Sequence, residues 1–145
     1  MKIFIASDHG GFTLKTKLVE YLKEKNLLVE DVGPTKLDPL DDYPDYGKKV
    51  AQRVALNPAE NRGILLCRNG VGMDIMANRF RNVRCVLGFH THQIEKARKD
   101  DNVNVLALPA DYITQQDAHD FVDIFLSTQP DEQEKYSRRV RKIDL

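Results

Sequence analysis

The sequence is short of net charge, of cysteine and of long apolar runs. Its 22 acidic and 22 basic residues balance, so no overall charge favours a nucleic-acid or membrane partner. Two cysteines, Cys67 and Cys85, suggest neither a disulfide framework nor a metal site. No run of about 18 apolar residues could span a membrane, and the apolar part of residues 1–11 is too short for a signal peptide. We therefore expect a cytoplasmic protein with no membrane or nucleic-acid partner and no metal.

Apolar segments with the length of buried strands alternate with segments of helical spacing along the chain. Strands are predicted at residues 2–6, 27–32, 64–66, 84–87 and 103–108. Helices are predicted around residues 14–22, 50–54, 73–79, 94–99 and 118–125, with a polar loop at residues 34–44. This order predicts an α/β fold: a three-layer, doubly wound sheet of five parallel strands with helices on both faces. The length of 145 residues fits one domain covering residues 1–145.

The tail after Pro130 is charged and too polar to pack as core. One interpretation is a solvated helix or a frayed end. The other is a basic helical arm, residues 130–145, that brings cationic side chains to a partner subunit or to a phosphate. These side chains are Lys135, Arg138, Arg139 and Arg141. The residues alone leave both interpretations open.

Residues 63–78, GILLCRNGVGMDIMAN, combine a short apolar strand, a turn with two glycines and the start of a helix. This order places Cys67 at the carboxyl end of a strand, with the amides of residues 68–72 able to converge on one point. Such amides can hold an anion or a developing oxyanion. A thiolate beside them could act as base or nucleophile, although a cysteine after an apolar run is also a common small buried hydrophobe.

Ligands of an open α/β sheet bind at the carboxyl ends of its strands. We expect three polar groups there: Asp8 with His9 after the first strand, Cys67 with its loop after the third, and residues near Asp100 before the fifth. Asp8 and His9 could equally be a helix cap and its neighbour. Because histidine titrates near neutral pH, His9 suits proton transfer or phosphate binding.

Five motifs together resemble the RpiB/LacA/LacB family of sugar-phosphate isomerases, over nearly all of the chain. They are Ser7-Asp8-His9-Gly10-Gly11-Phe12, Asp42-Tyr43-Pro44, residues 64–78, Asn104-Val105-Leu106-Ala107 and Arg139-Val140. The resemblance implies a flavodoxin-like sheet and a dimer or tetramer with active sites at the subunit interface. It implies interconversion of aldose and ketose phosphates through a cis-enediolate, without metal or organic cofactor. The default reaction is ribose 5-phosphate to ribulose 5-phosphate.

The resemblance also implies roles for individual residues. Cys67 matches the base of the family branch that uses cysteine, whereas another branch has glutamate where this chain has Met73. The implied enediolate clamp is Asn69 with the amides of Gly70, Val71 and Gly72. The implied sugar or phosphate contacts are Asp8, His9, Tyr43, Lys135 and Arg139, with His9, Lys135 and Arg139 as phosphate ligands. Arg68 and Asp101 depart from the family pattern and are further expected substrate contacts; Arg68 could instead lower the pKa of the Cys67 thiol.

The chain departs from the family pattern at several positions. The Cys-Gly-Thr/Ser-Gly loop is Cys67-Arg68-Asn69-Gly70, which adds a cation beside the base. The His-Asn pair before the fifth strand is Asp100-Asp101, so the histidine that opens the furanose ring is missing, and Asp100 could replace it as an acid. A position after the fifth strand that is often basic is Asp111. These departures leave open an isomerase of another sugar phosphate, such as a hexose 6-phosphate or an unusual pentose, and a non-catalytic sugar-phosphate-binding protein.

Overall fold

Five parallel strands form the middle layer of the protein. The strands are β1 (Lys2–Ser7), β2 (Val29–Asp31), β3 (Asn61–Cys67), β4 (Cys85–Leu87) and β5 (Val105–Pro109). Their order in the sheet is β2-β1-β3-β5-β4, and every neighbouring pair is parallel. The structure, a computed structural model, describes residues 1–144. The predicted doubly wound α/β fold is confirmed.

Helices connect the strands and follow the last of them. They are a 3₁₀ turn at His9–Gly11, α1 (Phe12–Glu24), α2 (Tyr43–Leu56), α3 (Val71–Ala77), α4 (Thr91–Asp101), α5 (Gln115–Ser127) and α6 (Glu134–Ile143). All five predicted helices are present. Helix α2 begins at Tyr43, although we expected the loop to continue through Pro44. Proline is tolerated in the first turn of a helix, because a backbone N–H at that position would have no acceptor within the helix.

Helices cover both faces of the sheet. Because successive side chains of a strand point to opposite faces, Ile64 and Leu66 of β3 pack with α1, α4 and α5, whereas Leu65 and Cys67 pack with α2 and α3. All four of these side chains are buried. Burial on both faces explains why the central strands are continuously apolar rather than alternating.

The chain changes direction between the adjacent strands β1 and β3. From β1 it crosses to β2 at one edge of the sheet, and from β3 it crosses the other way to β4 and β5. Ser7 of β1 pairs with Leu66 of β3, and Cys67 of β3 pairs with Pro109 of β5. The carboxyl ends of these three strands therefore meet at a topological switch point, the place where doubly wound sheets bind ligands.

The charged tail forms helix α6, so a helix is confirmed over its described part and a frayed end is wrong for residues 134–143. None of the α6 residues is buried. The tail lies against α4 and the start of β4: the Asp131 N–H donates to the Lys99 carbonyl at 2.9 Å, and Arg84 Nη1 donates to Asp144 Oδ2 at 2.6 Å. Residue 145, the end of the predicted arm, lies outside the described residues. Among residues 1–144, no helix has the length and apolar character needed to cross a membrane.

Candidate active site

Cys67 is the last residue of β3, and its side chain is buried. Backbone hydrogen bonds fix its position, since the Cys67 carbonyl accepts the Ala110 N–H at 2.9 Å and the Arg68 carbonyl accepts the Asp111 N–H at 2.9 Å. The loop after β3 is thereby tied to the loop after β5. The thiol lies at the switch point, where the sequence predicts it.

The second cysteine has a different environment. Cys85 is the first residue of the edge strand β4 and therefore lies at the opposite edge of the sheet. Burial raises the pKa of the Cys85 thiol well above its usual value, and the charge of Asp74 raises it further. Since a thiol acts as a base or nucleophile only when ionised, Cys85 is not a candidate for either role.

The turn before α3 holds the backbone donors of the site. Gly70 has a φ of 76°, in the left-handed region that glycine favours. The Val71 N–H donates to Asn69 Oδ1 at 3.1 Å, so this amide of the predicted clamp is already engaged. The amides of Gly70 and Gly72 have no hydrogen-bond acceptor among residues 1–144. These two amides and the Asn69 side-chain nitrogen remain as donors for a substrate oxygen.

Two further loops approach this turn closely. A Cβ added to Gly72 would lie 2.6 Å from the Tyr43 ring, which shows that the ring at the start of α2 rests on the turn. A Cβ added to Gly10 would lie 2.4 Å from Arg68 Cγ, so the Arg68 side chain crosses over the loop that follows β1. The structure therefore brings together the predicted site residues of the β1 loop, the β3 loop and α2.

Asp8 supports the loop after β1. Its side chain is buried, and its Oδ1 accepts the Gly11 N–H at 3.2 Å while its own N–H donates to the Leu66 carbonyl at 3.2 Å. The interpretation of Asp8 as a cap is confirmed, because it caps the 3₁₀ turn at His9–Gly11. A contact between Asp8 and a sugar stays a prediction.

His9 is paired with a residue that the sequence analysis missed. Asp41 Oδ1 lies 2.7 Å from His9 Nδ1 and also accepts the His9 backbone N–H at 3.0 Å. The Asp41 side chain is only 5% exposed. Tyr46 of α2 faces the same carboxylate: burial raises the pKa of Tyr46, and the negative charge of Asp41 raises it further. The one sequence signal for Asp41 is its position directly before the Asp42-Tyr43-Pro44 motif.

Arg68 and Asp111, two of the residues that depart from the family pattern, form an ion pair with each other. Arg68 Nη1 lies 3.5 Å from Asp111 Oδ2, and both side chains are exposed. An exposed pair of this kind contributes roughly 0–1 kcal/mol to stability. Asp111 therefore holds the Arg68 guanidinium near the site without immobilising it.

The remaining predicted site residues lie at the other edge of the sheet. Asp100 and Asp101 end α4, and a helix between parallel strands returns the chain from the carboxyl edge to the amino edge. The expectation that Asp100 lies at the carboxyl edge is therefore wrong within one chain. Strand β3 alone separates the two edges by roughly 20 Å. Asp100 Oδ1 also lies 3.3 Å from Lys96 Nζ, one turn earlier on α4.

Lys135 and Arg139 lie on α6, also away from Cys67. Lys135 Nζ is 4.6 Å and Arg139 Cζ is 5.9 Å from the centre of the Tyr136 ring. Both cations are exposed, and their spacing of four residues puts them on one side of the helix. They form a two-cation surface that can meet an anion brought by another molecule.

The groups gathered around Cys67 suit proton transfer next to a carbonyl. A thiolate can remove the proton, while free amides stabilise the oxyanion that forms. In residues 1–144, no group of three or more histidine, cysteine, aspartate or glutamate side chains is arranged to hold a metal ion.

Comparison with known proteins identifies the family. Residues 3–143 match the family model described as Ribose/Galactose Isomerase. A relative from Mycoplasma pneumoniae, named a probable ribose-5-phosphate isomerase B, is 41% identical over 141 residues, which cover 97% of this chain and 91% of the relative.

Solved structures agree with this assignment. Ribose-5-phosphate isomerase B from Mycoplasma genitalium with bound ribulose-5-phosphate is 40% identical, with a TM-score of 0.94 over 99% of this chain and 93% of that chain. The ribose 5-phosphate isomerase from Thermotoga maritima is 45% identical, with a TM-score of 0.91 over 99% of this chain and 97% of that chain. The chain therefore belongs to the ribose/galactose isomerase family and is an aldose-ketose isomerase.

Proposed function

We propose that the protein interconverts ribose 5-phosphate and ribulose 5-phosphate through a cis-enediolate, with Cys67 as the base. The observation that carries this proposal is the position of the Cys67 thiol at the switch point, beside a turn with two unengaged amides. The choice of substrate is supported by the Mycoplasma genitalium structure, in which a relative of similar fold holds ribulose-5-phosphate.

In the proposed reaction, the Cys67 thiolate takes the proton from C2 of the open-chain aldose. The electron pair of the C2–H bond moves into a C1–C2 double bond, and the carbonyl pair moves to O1. The amides of Gly70 and Gly72 and the Asn69 side chain stabilise this oxyanion. The hydroxyl proton of O2 passes to O1, and the Cys67 thiol returns its proton to C1, which gives the ketose and regenerates the thiolate.

We further propose that each active site is shared between two copies of the chain in a homodimer or a higher oligomer. Asp100, Asp101, Lys135 and Arg139 would reach the site of the partner subunit from the amino edge. Support comes from the exposed cation pair of α6 and from the absence of any buried residue on that helix. Lys135 and Arg139 would bind the phosphate with two charge-assisted contacts, and Tyr43, Arg68 and Asp8 would contact the sugar phosphate from within the chain.

We infer the compartment from the two cysteines and the cofactor requirement from the proposed reaction steps. We place the protein in the cytoplasm, which is reducing, because Cys67 and Cys85 are both free thiols. The proposed steps use only protein groups as acid, base and oxyanion donors, so the reaction requires no cofactor.

Proton exchange tests the proposed function. The protein is incubated in deuterated water with ribulose 5-phosphate, ribose 5-phosphate and a panel of other pentose and hexose phosphates, and exchange at the carbon next to the carbonyl is followed by NMR. We expect the fastest exchange with the ribose and ribulose phosphates. Faster exchange with a hexose 6-phosphate or another pentose would keep the isomerase chemistry but replace the substrate, while no exchange with any sugar phosphate would contradict the proposal.

A further inference from the structure

Packing alone does not fix the position of helix α6. None of its residues is buried. A cavity of about 220 Å³ remains between α6 and α4, with Tyr136 of α6 and Lys99 of α4 among its lining residues. Because a surface helix is stabilised mainly by the apolar side chains that it buries, the position of α6 depends on other contacts.

Polar contacts attach the two ends of α6 to the rest of the chain. Before the helix, the Asp131 N–H donates to the Lys99 carbonyl at 2.9 Å. After the helix, Arg84 Nη1 donates to Asp144 Oδ2 at 2.6 Å. Within the described part of the chain, this is the only ion pair that joins residues 131–144 to the rest of the protein.

The rest of the chain fixes the Arg84 guanidinium. Arg84 directly precedes β4, and its side chain is only 8% exposed. Its backbone N–H donates to Asn104 Oδ1 at 2.8 Å, and its Nε donates to the Asn102 carbonyl at 3.0 Å. The Asp144 carboxylate that binds this guanidinium therefore takes a defined position.

Two further arginines lie close to Arg84. Arg98 is 1% exposed, and its hydrogen-bond acceptors are uncharged, the Val103 carbonyl among them. Burial lowers the pKa of Arg98 to about 10, with the positive charges of Arg62 and Arg84 as further causes. Among residues 1–144, Asp144 is the only carboxylate within ion-pair distance of any of the three arginines. Since like charges repel one another, this cluster favours the Asp144 carboxylate beside it.

We propose that the Arg84–Asp144 pair clamps α6 in the position at which Lys135 and Arg139 bind the phosphate of the substrate. This inference rests on the proposed function, in which these two cations serve the site of the partner subunit. Arg84 and Asp144 touch neither the substrate nor the reacting atoms, so they are positioning residues. Without the clamp, α6 is docked for only part of the time, and the apparent affinity for the phosphate falls in proportion to the docked fraction.

The test measures KM for ribose 5-phosphate in Asp144→Ala. If the docked fraction falls to about a tenth, KM rises about tenfold, while kcat at saturating substrate stays nearly unchanged because Cys67 is untouched. Inhibition by inorganic phosphate should weaken by the same factor as KM rises. The matched control is Glu134→Ala, which removes the exposed Glu134–Arg141 pair within α6 and leaves the clamp intact. This control should change neither KM nor the inhibition.

A double-mutant cycle separates positioning of the cations from a general structural role. Lys135→Ala and Arg139→Ala together remove the two cations on which the clamp acts. Adding Asp144→Ala to this double variant should therefore raise KM no further, because residues that act through one another are not additive. Amide hydrogen exchange in residues 134–143 should also be faster in Asp144→Ala than in the native protein, since the end of α6 is released.

A further rise of KM on adding Asp144→Ala to the double variant, equal to the rise in Asp144→Ala alone, would overturn the inference. A native KM in Asp144→Ala beside a raised KM in the double variant would overturn it and leave the proposed function standing. A native KM in the double variant would instead contradict the shared phosphate site of the proposed function, and this inference with it. If Asp144→Ala does not fold, Asp144→Asn takes its place, since the amide oxygen can still accept from Arg84 while the charge is lost, and the same cycle decides.

Discussion

The two edges of the sheet hold their polar side chains in different ways. At the carboxyl edge, the Asp8 and Asp41 side chains are buried and accept hydrogen bonds from loop N–H groups, and Cys67 is fixed by backbone bonds to the β5 loop. On α6, beside the amino edge, Lys135 and Arg139 are exposed and touch only the Tyr136 ring in the contacts described for residues 1–144. Folding of one chain therefore organises the polar groups at the carboxyl edge, whereas it leaves the α6 cations exposed.

This difference predicts separate consequences for the two groups. Changes at the carboxyl edge should affect the chemical step or the folding of the chain, because its groups are held by the core. Changes on α6 should affect substrate binding and leave the free energy of unfolding unaltered, because exposed side chains contribute little to it.

The largest effect is expected for Cys67→Ala. Loss of the base should slow proton exchange from ribulose 5-phosphate by about 10²–10⁴-fold, which NMR in deuterated water measures. Cys85→Ala is the matched control, because burial raises the pKa of that thiol and keeps it neutral. An unaltered exchange rate in Cys67→Ala would show that another group is the base.

The next effect is expected for Gly70→Ala, which tests how tightly the turn is packed. Gly70 has a φ of 76°, and an added Cβ would lie 2.5 Å from Leu87 Cδ1 and 3.1 Å from the β5 backbone. We expect a loss of about 1–3 kcal/mol in the free energy of unfolding, measured with urea. Ile75→Ala, at a side chain of α3 that is 58% exposed, should cost much less. Equal costs would show that the turn is not closely packed.

A smaller effect is expected for Lys135→Ala and Arg139→Ala. Each should raise KM about tenfold, since one charge-assisted phosphate contact is lost, and neither should alter the free energy of unfolding. Arg138→Ala removes the same charge from the same helix and should leave KM nearly unchanged. A fall in kcat at constant KM would contradict a role in phosphate binding.

The smallest effect is expected for Asp111→Asn. The Arg68–Asp111 pair is exposed, so its loss should change the free energy of unfolding by less than about 1 kcal/mol. Raising the salt concentration should remove even that difference. A larger, salt-independent loss would show that the pair stabilises the β3 and β5 loops through more than its charges.

The sequence predicts the fold well for a physical reason. Central strands that are buried on both faces must be continuously apolar, and this pattern identifies residues 2–6, 64–66 and 103–108 without any three-dimensional information. The same pattern places Cys67 at a carboxyl end. The start of α2 is harder to predict from the sequence. Proline is typical of loops, so Pro44 favours a loop, although proline is also tolerated in the first turn of a helix.

The site is predicted only in part, because two of its features depend on long-range geometry. Asp41 meets His9 across 32 residues of sequence, and nothing in a polar loop indicates which aspartate turns inward. The sequence places Asp100 before β5 but does not show the edge of the sheet at which it lies, because that depends on α4, which carries the chain back to the amino edge. A sequence gives the order of the polar residues along the chain but does not show the edge of the sheet at which each one lies.

The central claim is that one active site uses Cys67 from one chain and the α6 cations from another. Mixing Cys67→Ala protein with a Lys135→Ala, Arg139→Ala double variant, after dissociation and reassociation of both, tests it directly. The activity is measured at a ribose 5-phosphate concentration far below the raised KM of the double variant, where both parent proteins are nearly inactive. If sites are shared, each mixed dimer contains one site with every group intact, and about a quarter of the native isomerase activity should return under these conditions. If no activity returns although mixed dimers form, then each site lies within one chain and the account is wrong.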